Sequence, residues 1–370
     1  MSRPTRQLVA VGAGHAHLHL AEQASALAQR GIRLTLIDPG AFWYSGLATG
    51  MLGGQYTADE DTLDPQPLVE PTGQFIRGRV TSIDLQRRHV MLDDEKQVPF
   101  DRLSFNVGSE VATHGIVGTE HAWTVKPIEN LSRLRSHLEH RLTGDRPLRV
   151  TVVGGGATGC EIAANLLGLA RRLSTTLQLH VFSSAARLMP DAPAGASRRM
   201  TCVLTRYGAL FELRTRIAAI QPDCVRDDAG RRWPSDLTVL ATGLKPPTWL
   251  ASLGLPLGER GGLQVGPSLQ SPADPHVFGV GDCIDFEPRP LPPLGVFGVR
   301  QAPILLHNLI ASFEDSPLQP YRPQRRWLSI LNLGDDTALA RWGSFYAHGR
   351  WCMRWKNRLD QKFLKRYRVK

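Results

Sequence analysis

Two Rossmann-like α/β dinucleotide-binding domains, the second inserted in the first, are the architecture this sequence predicts. Two observations carry it. Glycine-rich loops stand at Gly12-Ala13-Gly14 and, 142 residues further on, at Gly154-Gly155-Gly156-Ala157-Thr158-Gly159. Each follows a β-branched apolar run, Leu8-Val9-Ala10-Val11 or Val150-Thr151-Val152-Val153, and each opens into a helical pattern. A buried strand that turns on glycine into a helix N-terminus is a site for a pyrophosphate. One such loop is a weak signal. Two in one chain imply two dinucleotides, and passing electrons between them is the reason to hold both.

Residues 6–38 read as strand, loop, helix and strand, and the second strand ends on Asp38, 24 residues past Gly14. That is where a dinucleotide fold places an acid to accept ribose hydroxyls. Phe42 to Gly54 is aromatic and glycine-rich without periodicity, and 57–73 is polar. Residues 75–108 suggest a β-meander that closes on Gly108-Ser109. In the second unit, the helix from Gly159 to Leu173 carries an apolar stripe at Ile162, Leu166 and Leu169. The strand Leu179 to Phe182 ends on Ser183-Ser184 instead of an acid, and Asp236 to Gly243 is a buried strand that stops at glycine. His276 to Asp282 is a further apolar strand, followed by a proline-rich connection and a helix from about Arg300 to Ser312. A hairpin, Trp327–Asn332 with Thr337–Trp342, precedes a basic aromatic helix. The expected division is 1–122 with 262–315, 123–261, and a C-terminal 316–370.

Composition narrows the function. Hydrophobic content of 42% and charged content of 21% suit a globular chain. No apolar run is long enough to span a bilayer, and the short polar start leaves no room for a leader, which predicts the cytoplasm. The five cysteines, at 160, 202, 224, 283 and 352, are scattered. A disulfide framework, a zinc site and a redox dithiol are therefore not expected. The net charge of +10 is concentrated in residues 350–370, where nine basic side chains face one acid, Asp360.

The order of these motifs resembles the two-dinucleotide-binding flavoproteins. Within them it is most similar to type II NADH dehydrogenases and to the pyridine nucleotide oxidoreductase domain fused ahead of selenide, water dikinase. The matching residues are Gly14-His15-Ala16-His17, Tyr44-Ser45-Gly46, Gly108-Ser109, Gly295 to Gln301, and the tail from Gly349 to Phe363. The resemblance implies FAD at the first loop and NADH or NADPH at the second. Carried over, it assigns Gly12, Gly14, His15, Ala16, Asp38, Ser45, Gly46, Val80 and Gly108 to FAD, and Asp282 to a ribityl hydroxyl. It also starts a helix at Arg300-Gln301, whose N-terminus would face the flavin pyrimidine oxygens, where reduction accumulates negative charge. Gly154, Gly156, Gly159 and Gly243, with Ser183 and Arg187, would hold the nicotinamide nucleotide, and Glu161 would sit near its ring. Glu161 and Gln301 are the two side chains assigned to catalysis.

Several residues admit a plainer reading. His15, His17 and His19 alternate, but a spacing of two on a helix points neighbours apart, so packing is expected over a metal. Glu161 also suits a helix start through the dipole, and Lys126 is either a relative of a lysine found before the linking helix or an ordinary exposed one. Ser183, Ser184 and Arg187, standing where an acid would repel a 2′-phosphate, predict that NADPH is not strongly excluded. In helical projection Trp351, Trp355, Leu359, Phe363 and Tyr367 share one arc and Arg350, Arg354, Arg358, Lys365 and Arg368 another. That predicts an in-plane helix docking residues 350–370 on an anionic membrane, peripheral on the inner face. The alternative is that the aromatic arc packs on the protein's own core or on a second copy in a homodimer. Nucleic acid is not an expected partner. The acceptor is read as a quinone, against a small sulfur or selenium compound or a non-catalytic redox sensor.

Overall fold

The computed structural model describes residues 5–142 and 146–368; residues 1–4, 143–145 and 369–370, with Lys370 of the basic tail, lie outside it. Two five-stranded parallel sheets organise the chain. In the first, Arg6–Val11 is central, flanked by Ile32–Asp38 and then Gln74–Arg77 on one side, and by Arg102–Phe105 and then Val277–Gly279 on the other. In the second, Leu148–Val153 is central, with Leu177–Ser183 and Leu210–Leu213 on one side and Leu237–Leu240 and Ala122–Thr124 on the other. Both faces of such sheets are covered, so their strands are continuously apolar; Leu8, Val9, Ala10, Val152, Leu179 and Val181 are fully enclosed. In each sheet the chain leaves the central strand to opposite sides, which opens a crevice at its carboxyl end, where the glycine loop lies.

The expected β-meander divides in two. Gln74–Arg77 and Arg102–Phe105 join the first sheet, and only Val80–Asp84, His89–Leu92 and Gln97–Pro99 form an antiparallel meander. Val80 opens that small sheet and is buried. Two stretches without evident periodicity carry short elements: the strand Phe42–Trp43 and helix Ala48–Leu52 in one, the helices Ala58–Asp61 and Gln66–Val69 in the other. Ala48–Leu52 is buried at every position, so it has no polar face to produce a helical period. Thr57 and Glu60 close Ala58–Asp61 with a reciprocal capping box.

At the C-terminus the hairpin Leu328–Asn332 and Ala338–Trp342 gains a third strand, Phe345–Gly349, before the helix Arg350–Tyr367. Leu331, Leu333 and Leu339 join the core built around the second sheet. Leu364 and Tyr367 pack with Leu18, Phe42, Leu47 and Leu63 beside the first. This segment therefore fastens the two units together.

Candidate functional site

At the first loop Gly12 has φ +86, and a Cβ there would lie 2.6 Å from the Asn106 carbonyl oxygen. The loop is held from behind by two residues. Asn106 Oδ1 accepts from the Ala16 and His17 amides, and its Nδ2 donates to the Val280 carbonyl. His17 is fully buried between the Gly12 carbonyl at 2.6 Å and Ser104 Oγ at 2.8 Å, and burial lowers it to about 4, so it is neutral. Sequence reasoning missed Asn106. Its one signal is its place directly after a buried strand that neighbours the central one. Asp38 accepts from the Ala13 and Gly40 amides at 2.7 and 2.9 Å, and burial raises its pKa against those bonds. His15 faces Phe42, Tyr44 and Phe363, with ring centroids 5.2 to 5.9 Å away, and burial lowers it to about 4. His19 pairs with Glu22, which Arg366 also holds. The three histidines thus point to three different places.

The helix expected from Arg300 runs Gly295–Phe313. Gly295 and Gly298 made its first turn resemble loop, but a Cβ at Gly298 would lie 3.7 Å from the Gly281 Cα, an ordinary packing distance. Arg300 is exposed beyond the first turn, so the helix N-terminus is formed by Gly295 to Phe297 and not by Arg300-Gln301. Gln301 is fully buried, accepts from the Gly281 amide at 2.7 Å, and leaves its own Nε2 without a partner. Asp282 is held by Ser109 Oγ at 3.0 Å, and burial raises its pKa while Lys126 opposes the rise. Lys126 is half-buried and its pKa is lowered by burial, against Asp282 and Asp61, so it is no fully exposed surface lysine. Gly108 opens into free space, whereas Ser45 is exposed.

The second loop borders a groove of about 800 Å³. Gly154 to Thr158, Ser183, Ser184 and Gly243 line it, while Glu161 and Arg187 do not. Arg187 donates from Nη2 to the carbonyls of Pro190 and Ala192 at 2.6 and 2.8 Å, which braces its own turn, and its buried Nη1 has no partner. Arg216 lines the groove instead; it follows Thr215, whose amide donates to the Ser183 carbonyl at 3.0 Å. Among the described residues Asp191 is the single acid of that lining, against Arg216 and Arg341. Glu161, read as a neighbour of the nicotinamide, accepts from the Asn332 amide at 2.7 Å. Burial raises its pKa, against the pull of Lys356 and hydrogen bonds from Asn332 and Thr49.

A buried polar cluster occupies the junction with the C-terminal helix. Lys356 is 5% exposed; it donates to Asp360 at 2.6 Å and to the Gly46 carbonyl. Tyr44 stacks on Phe363, donates to Asp360 at 2.9 Å, and has its pKa raised by burial and by Asp360. The helix turns Cys352, Met353, Lys356, Asp360, Leu364 and Tyr367 inward. Trp351, Trp355 and Leu359 remain outside, more than 40% exposed, as are Trp342, Phe345 and Tyr346 of the preceding strands. The expected arc is therefore split: its N-terminal half is free, and Phe363 and Tyr367 pack inward. Arg366 and Arg368 are also engaged, on Glu22 and on the carbonyls of Asp59 and Glu60.

All five cysteines are free, and burial pushes the Cys160 and Cys283 thiols up to about 12. No helix among the described residues is long and apolar enough to cross a membrane.

The chain is 28% identical over 214 residues to the type II NADH:quinone oxidoreductase of Haemophilus influenzae, which is 54% of this chain and 48% of that protein, so the match spans about half of the relative's length. Its fold is shared with the sulfide:quinone oxidoreductase of Aquifex aeolicus, at a TM-score of 0.83 and 18% identity over 98% of this chain and 91% of that one. It is shared too with NDH2 of Plasmodium falciparum in complex with NADH, at 0.82 and 14% over 98% and 97%. Residues 6–303 match the family described as pyridine nucleotide-disulphide oxidoreductase. The chain belongs to this family of FAD-dependent NAD(P)H oxidoreductases, and it does so without a paired cysteine.

Proposed function

We propose that this chain binds FAD at the first loop, takes electrons from NADH or NADPH held in the second groove, and passes them to a quinone at an anionic membrane surface. The observation that carries the acceptor is the C-terminal helix. One face, with Lys356 and Asp360, closes a buried polar cluster; the other presents Trp351 and Trp355, stacked 6.4 Å apart, to the outside. A single element thereby connects a lipid-compatible surface to the interior.

The residues present fit FAD. Asp282 is a half-buried carboxyl with one hydroxyl donor, Gln301 Nε2 has no partner, and the Gly295–Phe297 amides open a helix beside His15. Asp282 would take ribityl hydroxyls, Asp38 the adenosine ribose, and the helix start would stabilise negative charge on the pyrimidine edge. When bound, the flavin supplies two-electron redox chemistry. The protein's work is to hold two rings in register and exclude water. Scattered thiols, all but Cys202 buried, support an acceptor route without a protein disulfide. Anaerobic titration should consume about two electrons per FAD. Stopped-flow mixing of the reduced protein with ubiquinone and menaquinone analogues, persulfides and selenite should show fast reoxidation by quinone alone. Uptake of four electrons, or fast turnover with persulfide only, would overturn the reading.

Membrane docking rests on Trp342, Phe345, Tyr346, Trp351, Trp355 and Leu359, with Arg350, Arg354, Arg358, Lys362 and Lys365 also exposed on the helix. Each basic group near anionic lipid contributes ~1 kcal/mol. Changing Trp351, Trp355 and Leu359 together to serine should abolish co-sedimentation with anionic liposomes and leave the flavin spectrum unchanged; retained sedimentation would rule the ridge out. Deleting the whole helix is a poor test, because burial of Phe363, Leu364 and Tyr367 stabilises the fold by ~1.5–3 kcal/mol per side chain.

For the nucleotide, Ser183, Ser184 and Arg216 support acceptance of a 2′-phosphate. A preference for NADH below ~10³-fold in kcat/KM is expected, and Arg216→Ala should raise KM for NADPH up to about tenfold while sparing NADH. Equal effects on both nucleotides would count against Arg216.

A further inference from the structure

Away from both glycine loops the chain forms a second groove, of about 650 Å³, where four segments meet. Arg350 and Arg354 line it from the start of the helix Arg350–Tyr367, and Arg172 from the end of the helix Ala157–Arg172. Asp336 comes from the turn between Leu328–Asn332 and Ala338–Trp342, and Tyr56 from the segment after Ala48–Leu52. Three arginines thus surround one acid, and that acid is already engaged. Asp336 Oδ1 accepts from Gln55 Nε2 at 3.2 Å and faces Arg172 Nη2 at 3.5 Å. Arg172 Nη1 donates to the carbonyls of Gly53 and Gly334 at 3.0 and 3.2 Å, which fixes its guanidinium in the wall. Tyr56 donates to Asn357 Oδ1 at 2.7 Å and leaves the Asn357 Nδ2 donors free at the groove.

Arg350 and Arg354 differ from Arg172. Both are exposed, and among the described residues neither has a hydrogen bond or an ion pair. They stand four residues apart on one helix face, where like charges repel, and Arg172 adds a third positive charge across the groove. An oxyanion removes that repulsion, and the guanidinium fork matches phosphate oxygens two at a time. Position indicates where the phosphate comes from. At about 100° per residue, Arg350 and Arg354 lie within roughly 100° of Trp351 around the helix, so the groove borders the exposed aromatic ridge. Interfacial aromatic side chains sit at the level of lipid headgroups, which holds the groove at the depth of the phosphates.

We propose that this groove binds the phosphate of an anionic lipid headgroup, an inference that rests on the membrane-docking reading above. Arg350 and Arg354 take the phosphate oxygens, Arg172 supplies fixed positive charge behind them, and Asn357 Nδ2 donates to the rest of the headgroup. The ridge then gives affinity for a bilayer, and the groove adds a preference for its anionic component.

Arg350→Gln with Arg354→Gln in the full chain is the test. Its control is Arg358→Gln with Lys362→Gln, which removes the same charge from exposed positions of the same helix outside the groove. The probe is dihexanoylphosphatidylglycerol kept below its micelle concentration, so that no membrane surface contributes. Calorimetric titration of wild type should saturate at one lipid per chain. The groove variant should bind at least about tenfold more weakly, the loss of one contact to a charged group, while the control pair keeps the wild-type affinity. Its melting temperature should match wild type, because neither arginine has a partner to lose. Equal losses in the two variants would show diffuse charge attraction and overturn the site. Inorganic phosphate separates the sources: it should bind wild type at least about tenfold more weakly than the lipid, the worth of about two buried methylenes. Equal affinity would make this a site for soluble phosphate and overturn the lipid assignment. Wild-type protein that sediments with anionic liposomes yet ignores the short-chain lipid would overturn the groove and leave docking standing. Failure of wild type to sediment would overturn the docking reading and the lipid assignment with it.

Discussion

Gly159→Val should reduce the rate of reduction by NAD(P)H at least ~100-fold, the cost of misplacing reacting groups by about 1 Å. A Cβ at Gly159 would lie 1.8 Å from the Gly154 carbonyl oxygen, far inside contact distance. The loop cannot yield easily: the Gly154 amide donates to Phe182 at 2.9 Å, and the Gly155 carbonyl accepts from Met189 at 2.7 Å. The flavin spectrum should persist, since the first loop is built on the other sheet. Gly156→Ala is the informative contrast. A Cβ there meets no protein atom within 4 Å, so the melting temperature should hold while KM for the nucleotide rises. Wild-type stopped-flow rates in Gly159→Val, or an unchanged KM in Gly156→Ala, would show that the groove does not hold the pyrophosphate against this loop.

Lys356→Met should destabilise the chain by ~3–5 kcal/mol, because it leaves Asp360 buried without its cation. Asp360, 6% exposed, would then retain only the Tyr44 hydroxyl among its two side-chain donors. Replacing both partners, Lys356→Met with Asp360→Leu, should recover most of the loss, since an apolar pair of similar volume is often as stable as a buried ion pair. Urea unfolding of the four proteins forms the double-mutant cycle. A single variant as stable as wild type would mean that water or a relaxed helix already satisfies Asp360.

The glycine loops were legible because their signals are local. A strand, a glycine turn and a helix start occupy consecutive residues, and Gly12, Gly14, Asp38 and Gly154 to Gly159 fall where that reading put them. Asp282 was readable for a similar reason: it lies in the turn Gly281–Cys283, three residues past the apolar strand Val277–Gly279. The start of the helix at Arg300 was misplaced by short-range ambiguity, because glycines at 295 and 298 concealed one turn of it. Asn106 and Arg216 were missed because each reaches a loop from a neighbouring strand, a relation set by sheet order and not by spacing.

The sequence by itself determined the number of dinucleotide loops, the strands that deliver them, the absence of a paired thiol, and an amphipathic basic helix at the end. All of these are properties of residues close along the chain. Only the tertiary structure decided which side of that helix is free. Projection predicts an arc, but burial depends on what the helix meets, and here Leu18, Phe42 and Leu63 receive Tyr367 and Leu364 while Gly46 receives Lys356. It also brought Asp61, Lys126, Tyr44 and Asp360 to one place from four separate segments. Long-range convergence and the loss of water around a charge leave no periodic trace in a sequence, and those two effects made this junction.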